Sequence, residues 1–361
     1  MKICLILLAG LSAASAQGLF GGFGQLVPTL PPTGFFGQSF SKIPLLNNVQ
    51  DFGEFVKQSG KTYATAAEQT LRAGIFKANQ ALIETNNQAF ALGKSTFKLG
   101  ANIFSDLSKA DILSKLTGLK RNSVGDQKAQ AHRQEAVAPK NAKIPDSFDW
   151  REKGGVTPVK FQGFDCNSCW SFAVTGAVEG HHFRKTNSLI PLSEQNLIDC
   201  SSDFGNTGCS GGYQEYGFEY IIQNKGVAKS DPYPYKMQDD KCKYNKNTKG
   251  ADMKAFAVIE PGNEEKMKEI IATLGPLACS MNAATESFVL YKEGIYDDEE
   301  CNKEDVNHSV LVVGYGSENG KDYWIVKNSW TDKWGEGGYG RIPRNKNSFC
   351  GIASECSYPI L

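Results

Sequence analysis

Histidine is nearly absent from this chain, with four in 361 residues. Chemistry that needs an imidazole must therefore use His132, His181, His182 or His308. Net charge is missing too: 39 Lys and Arg face 39 Asp and Glu, which removes the electrostatic case for a nucleic-acid binder. No apolar run approaches the ~20 residues a membrane-crossing helix needs, so no membrane span is expected. Cysteine is absent between residues 17 and 143, and no internal repeat is apparent.

What is present describes a globular chain, 40% apolar and 22% charged, long enough for two or three domains. The neutral total conceals a division. Residues 1 to 143 carry sixteen basic and eight acidic groups, and residues 144 to 361 carry twenty-three and thirty-one. The two parts, +8 and −8, should attract each other. Nine of the ten cysteines follow residue 143; nine is odd, so at least one thiol stays free.

Residues 1 to 16 give a lysine, a short apolar run and Ala14-Ser15-Ala16, the pattern of a secretory signal peptide. The product is expected in the secretory pathway, lysosomal or extracellular, where disulfides persist. Residues 17 to 43 read as a Gly/Phe/Pro-rich spacer. Residues 51 to 87 have a helical pattern, with Phe76 and Ile83 seven apart and so on one face. Residues 120 to 143 read as an exposed linker open to proteolysis. Beyond residue 144, helices are expected over about 169 to 185, 192 to 200 and 264 to 274. Strands are expected over 306 to 315, 323 to 327 and 338 to 342.

The chemistry begins at Cys166-Asn167-Ser168-Cys169-Trp170. A redox pair or half a zinc site would need a strand-flanked context or a second pair of ligands, and neither is evident. The remaining reading has Cys166 in a disulfide and Cys169 free at a helix N-terminus, where the dipole favours thiolate. A thiolate nucleophile needs a base, and the base needs an orienting group. His132 lies in the linker, while His181 and His182 sit about three turns along the helix from Cys169, out of reach at ~1.5 Å per residue. His308 is left, with Asn328 twenty residues later to hold the ring and Trp330 to exclude water.

With those residues in view, the chain resembles the proenzymes of the papain-like cysteine proteases, in the cathepsin L-like branch, from about Asp51 to Leu361. Residues 166 to 170, Gly208-Cys209-Ser210-Gly211-Gly212, Asn307-His308-Ser309 and Asn328-Ser329-Trp330 carry the resemblance in the catalytic part. In the prosegment Glu68, Arg72, Phe76, Asn79, Ile83 and Asn87 fit the family's interrupted-helix motif, and Gly100, Asn102, Phe104 and Asp106 its second motif.

The resemblance implies an α+β, papain-like two-lobed fold, a helical lobe plus a β-barrel-like lobe. An inhibitory prosegment over residues 44 to 143 would precede the peptidase domain at 144 to 361. It implies an endopeptidase without cofactor or metal, a monomer acting on peptides or proteins, with its own prosegment lying reversed through the cleft. Cys169 would be nucleophile, His308 base and then acid, Asn328 the orienting amide, and Gln162 an oxyanion donor with the Cys169 backbone N–H. Gln162 to Cys169 is one residue longer than usual, and Asn167 stands where glycine is usual. Either the extra residue bulges ahead of Cys166 or it displaces Gln162. Thr331 likewise replaces a common glycine.

Implied disulfides are Cys166 with Cys209, Cys200 with Cys242, and Cys301 with Cys350. Cys279 is expected as a buried hydrophobe, in preference to a fourth bridge with Cys356. Substrate would run past Gly211, Gly212, Asn307 and Trp330, and the main specificity pocket would involve Tyr213, Gln214, Ser280, Val306, Ser309 and Glu355. A glutamate at 355 would admit arginine as well as Leu or Phe, and the plain alternative is a solvated carboxylate. The acidic residues 297 to 300 lack calcium-loop spacing and read as a solvated turn. Rival readings are a catalytically impaired homologue serving as a binding or structural protein, a secreted inhibitor, and a ligase that uses an amine in place of water.

Overall fold

The computed structural model describes residues 43–361; the expected signal peptide and all but the end of the spacer lie outside them. Two helices open the described chain, α1 (Phe52–Ser59) and α2 (Ala66–Ala91), where the sequence pattern suggested one. Gly60, at φ 69°, ends α1 in the left-handed region, and Thr65 restarts the helix by accepting from the Glu68 N–H. The buried residues of α2 are Glu68, Arg72, Phe76, Asn79 and Ile83, five of the six motif positions. The motif is thus the inward face of a long helix.

Strand β1 (Phe97–Leu99) and the helices α3 (Lys109–Lys115) and α4 (Ser123–Ala129) follow, then β2 (Arg133–Glu135) and β3 (Phe148–Asp149). Next come α5 (Cys169–Thr186), α6 (Glu194–Cys200), α7 (Gln214–Gln223) and the short pair β4 (Val227–Ala228) and β5 (Lys249–Ala251). The last third holds β6 (Ala255–Val258), α8 (Glu264–Thr273), β7 (Leu277–Met281), α9 (Glu286–Val289), β8 (Tyr291–Gly294), β9 (His308–Glu318), β10 (Lys321–Lys327), β11 (Tyr339–Pro343) and β12 (Cys356–Ile360).

The main sheet runs β11-β10-β9-β7-β12-β6-β2, with β3 also on β9. Two apolar cores flank α5. One gathers Trp170, Tyr216, Phe218 and Ile221 among the helices; the other gathers Val312, Trp324, Val326 and Ile342 in the sheet. Cys169 to His181 is buried almost without interruption, as expected for a helix with partners on every side. Its first residue, Cys169, opens at the seam.

The N-terminal region supplies a strand to two sheets: β1 pairs antiparallel with β8 in a sheet of two strands, and β2 adds parallel to β6 in the main sheet. Residues 120 to 143 are therefore not the loose linker expected. Tyr216 Oη donates to the Asn122 carbonyl and Asp126, and Asn122 Nδ2 donates to the Gly205 carbonyl. Only the stretch from 136 to 143, with Val137 72% exposed, keeps that character. Here tertiary hydrogen bonding overrides a polar, Ala-rich composition that carries no periodicity.

Four disulfides are present: Cys166–Cys209, Cys200–Cys242, Cys301–Cys350 and Cys279–Cys356. The last corrects the expectation of an unpaired Cys279. β12 lies beside β7 with Cys356 directly opposite Cys279, their Cα atoms 4.1 Å apart. Cys169 is the free cysteine among the described residues.

Candidate active site

Cys169 is fully buried, and its thiol lies against the backbone of Ser309, the residue after His308. Burial pushes its pKa up to about 11, opposed by the backbones of Ser309, Trp170 and Gly118. His308, first residue of β9, turns Nε2 to Asn328 Oδ1 at 2.9 Å, and the Trp330 ring stands 4.8 Å away. Burial lowers the imidazole pKa to about 4, against the Asn328 hydrogen bond and the Leu116 backbone. Burial thus favours the uncharged forms of both thiol and imidazole beneath a lid.

That lid is the N-terminal region itself. Gln162 Nε2 and Trp330 Nε1 both donate to the Leu116 carbonyl, at 3.2 and 3.3 Å. From there the chain pairs on both sides: Gly118 and Leu119 N–H donate to the Asn307 carbonyl, Lys120 N–H to Gly212, and Gly212 N–H back to Gly118. A side chain at Gly118 would collide with the Asn167 carbonyl, the added Cβ lying 2.0 Å from it. Only glycine passes at that height. A Cβ added at Gly211 would lie 2.8 Å from the Gly118 carbonyl.

One step further, Arg121 donates to Glu355 at 3.1 Å and lies 4.9 Å over the Tyr213 ring. Ser280 Oγ donates to Glu355 and accepts from Gln214 Nε2, and Ser309 Oγ donates to Gln214 Oε1. The structure therefore gathers Tyr213, Gln214, Ser280, Ser309 and Glu355 around a guanidinium. Val306 packs against Gly351 just outside that group. The Asn307 amide is engaged with Asn282 and the Asp305 carbonyl.

Of the two ways to accommodate the extra residue before Cys166, the structure adopts the bulge. Gly163 takes φ 87°, Phe164 turns inward and Asp165 outward. Gln162 stays aimed at the cleft, with Ser329 Oγ donating to its Oε1 at 2.7 Å. Tyr235 ties the loop by donating to the Gln162 carbonyl, with Ser168 Oγ also at 2.6 Å. Asn167 donates to the Ser114 carbonyl, and Thr331 adopts φ 71°, the left-handed conformation for which glycine is ordinarily kept. Leu116, Gly118, Arg121, Phe164 and Tyr235 were not singled out in the sequence; the partners that bring them to the site lie 46 to 234 positions away.

The other histidines have structural settings. His181 Nε2 meets the Pro276 carbonyl at 3.1 Å and its ring stacks on Tyr358, and burial lowers its pKa to about 3. His132 lies 3.0 Å from Glu219.

Comparison with known proteins agrees with this geometry. Residues 144–360 match the family described as papain family cysteine protease, and residues 52–112 the cathepsin propeptide inhibitor domain (I29). A cathepsin L-like peptidase of Aedes aegypti is 40% identical with both chains covered in full. Digestive cysteine proteinase 3 of Homarus americanus is 42% identical over 85% of this chain and 93% of its own. Digestive procathepsin L 3 of Tenebrio molitor larval midgut superposes with a TM-score of 0.78 at 39% identity, covering 86% of this chain and 97% of that one. The chain belongs to the papain family of cysteine proteases, as a cathepsin L-like endopeptidase made as a proenzyme under its own propeptide.

Proposed function

We propose that Cys169, His308, Asn328 and Gln162 carry out peptide hydrolysis, and that the pocket around Glu355 accepts arginine as well as Leu or Phe. The observation that carries this reading is the path of residues 116 to 121, with a carbonyl on Gln162 and a guanidinium on Glu355. In the processed enzyme water re-enters the cleft and the charged thiolate and imidazolium are no longer penalised by burial. Cys169 Sγ attacks the substrate carbonyl, and the oxyanion draws on Gln162 Nε2 and the Cys169 N–H. His308 gives its proton to the leaving amine; water then adds to the thioester, His308 takes its proton, and the thiolate leaves.

A substrate's Glu355-bound residue precedes the cut, whereas the propeptide reaches Glu355 after passing Cys169. The propeptide therefore lies reversed, which supports an inhibitory rather than a substrate role. The four disulfides suit folding in the secretory pathway. Our reading takes the enzyme on to a lysosome or the extracellular space, and the digestive names of the lobster and beetle relatives support the latter. The exposed segment 136 to 143 is the place we assign to the activating cut.

Hydrolysis of fluorogenic dipeptides with Leu, Phe or Arg in the second position before the dye tests the proposal. Turnover should disappear in Cys169→Ala, by at least about 10⁴-fold. Glu355→Ala should cut the Arg-to-Leu rate ratio about tenfold or more, because a charge-assisted pair is lost. An unchanged ratio would refute the pocket assignment.

A further inference from the structure

The bulge created by the extra residue places an aromatic ring where the propeptide meets the enzyme. Phe104 of the propeptide is surrounded by Phe164, Trp330 and Phe161, with ring centroids 5.5, 5.9 and 6.2 Å away. Phe161 and Phe164 also meet edge to face at 5.5 Å. On the cleft side the same Trp330 touches His308 and donates to Leu116. The cage therefore lies one indole beyond the base.

His308 protonates the leaving amine, so the half of the substrate that departs first lies on this side. The opposite half lies toward Glu355. We infer, on the basis of the protease reading above, that removal of the propeptide opens a subsite of Phe161, Phe164 and the outer face of Trp330. It takes an aromatic side chain from the first or second residue after the cut, and Phe164 sets that preference. An extended peptide advances ~3.3 to 3.6 Å per residue, enough for two residues to pass the indole. The occupant's chemistry is the one Phe104 already displays.

The cage does not depend on the propeptide for its shape. Phe161 bridges to Trp330 through the backbone, Tyr235 holds the Gln162 carbonyl, and the Cys166–Cys209 disulfide fixes the far end of the bulge. Phe164 is thus pinned on both sides along the chain. Propeptide Lys61 also approaches the Phe164 ring, at 5.2 Å, but its ammonium is already paired with Asp106. The uncharged ring of Phe104, not the cation, occupies the cage.

Internally quenched peptides, identical up to the cut and bearing Phe, Trp, Leu, Lys or Gly at the first and second positions after it, test this on enzyme processed from the full chain. Wild type should prefer Phe or Trp over Gly on the order of tenfold in kcat/KM, the scale of edge-to-face aromatic contacts. The preference should shrink to about twofold in Phe164→Ala and fall between in Phe164→Leu. Each ratio is taken within one preparation, so a loss of folded enzyme does not imitate the effect. A flat wild-type series, a preference for Lys, or full aromatic preference in Phe164→Ala would overturn the inference while dipeptide-dye turnover kept the protease reading intact. Absence of turnover on every substrate would overturn both.

Discussion

The propeptide and the peptidase are held together by different means. The peptidase has four disulfides and two apolar cores. The propeptide has a small apolar cluster of its own, Val49, Phe55 and Phe76, and a buried polar network. In that network Arg72 meets both Asp111 oxygens at 2.7 and 3.0 Å, and Asn79 donates to the Ser105 and Leu107 carbonyls. Its Ile103, Phe104, Leu107 and Leu116 belong to a core shared with the peptidase. One part carries its own cross-links, and the other shares much of its apolar packing with the surface it covers. A removable inhibitor needs that asymmetry.

The largest test concerns what the cover does to the thiol. With its pKa raised to about 11 by burial, Cys169 is about 10⁻⁴ thiolate at pH 7, and thiolate is the reactive form. Iodoacetamide should label it at least about 10³-fold more slowly in the proenzyme than in the processed enzyme. Equal rates would erase the contrast between covered and open states.

Next in size is Arg72→Ala. It strands the Asp111 carboxylate in a buried site, at a cost of about 3–5 kcal/mol. Hydrogen exchange should rise across α1 to α3 and the proenzyme should process faster at neutral pH, while the peptidase sheet keeps its protection. The sign with pH follows from Asp111, which is stabilised to about 2 by Arg72 and Ser108 despite burial. A depressed carboxylate contributes its full stability above its ordinary pKa and loses it progressively as the pH falls from 3.8 to about 2. Acid between pH 4 and 7 should therefore loosen docking before it unfolds these helices, as exchange measured across that range would show.

The converse change, Cys279→Ala with Cys356→Ala, opens a bridge spanning 77 positions. It should lower peptidase stability by about 2–4 kcal/mol in urea unfolding, with inhibition by the propeptide preserved. The smallest effect belongs to Lys98→Ala. Lys98 and Glu293 pair at 2.8 Å with both side chains largely exposed, a contact worth about 0.2–1 kcal/mol. Lys98 holds the Glu293 carboxyl below its ordinary range, so the pair favours docking at neutral pH and fades as acid protonates it. Inhibition should weaken a few-fold at pH 7, and the difference from wild type should shrink in acid.

Residues whose placement is set by local spacing could be read from the sequence. Cys169 heads a helix after a disulfide cysteine, His308 opens a strand, and the motif residues of α2 repeat on one helical face. The two helix ends expected at about 185 and 200 followed from the sequence pattern, whereas the fold class followed from the family resemblance. What escaped depends on registers between distant segments. The Cys279–Cys356 bridge requires β12 to lie on β7, and β2 finds β6 across more than a hundred residues. The inward turn of Phe164 goes with Gly163 and with a tyrosine that reaches back seventy-three positions to Gln162.

Activation leaves a particular surface behind. Glu215, Glu293 and Glu355 each face a basic residue of the N-terminal region. Cutting that region away strips all three of their counter-ions at once. A molecule of no net charge becomes a polyanion whose bare carboxylates include one in the cleft. Such a field draws cationic peptides in by long-range steering, and added salt should slow their capture more than that of neutral ones.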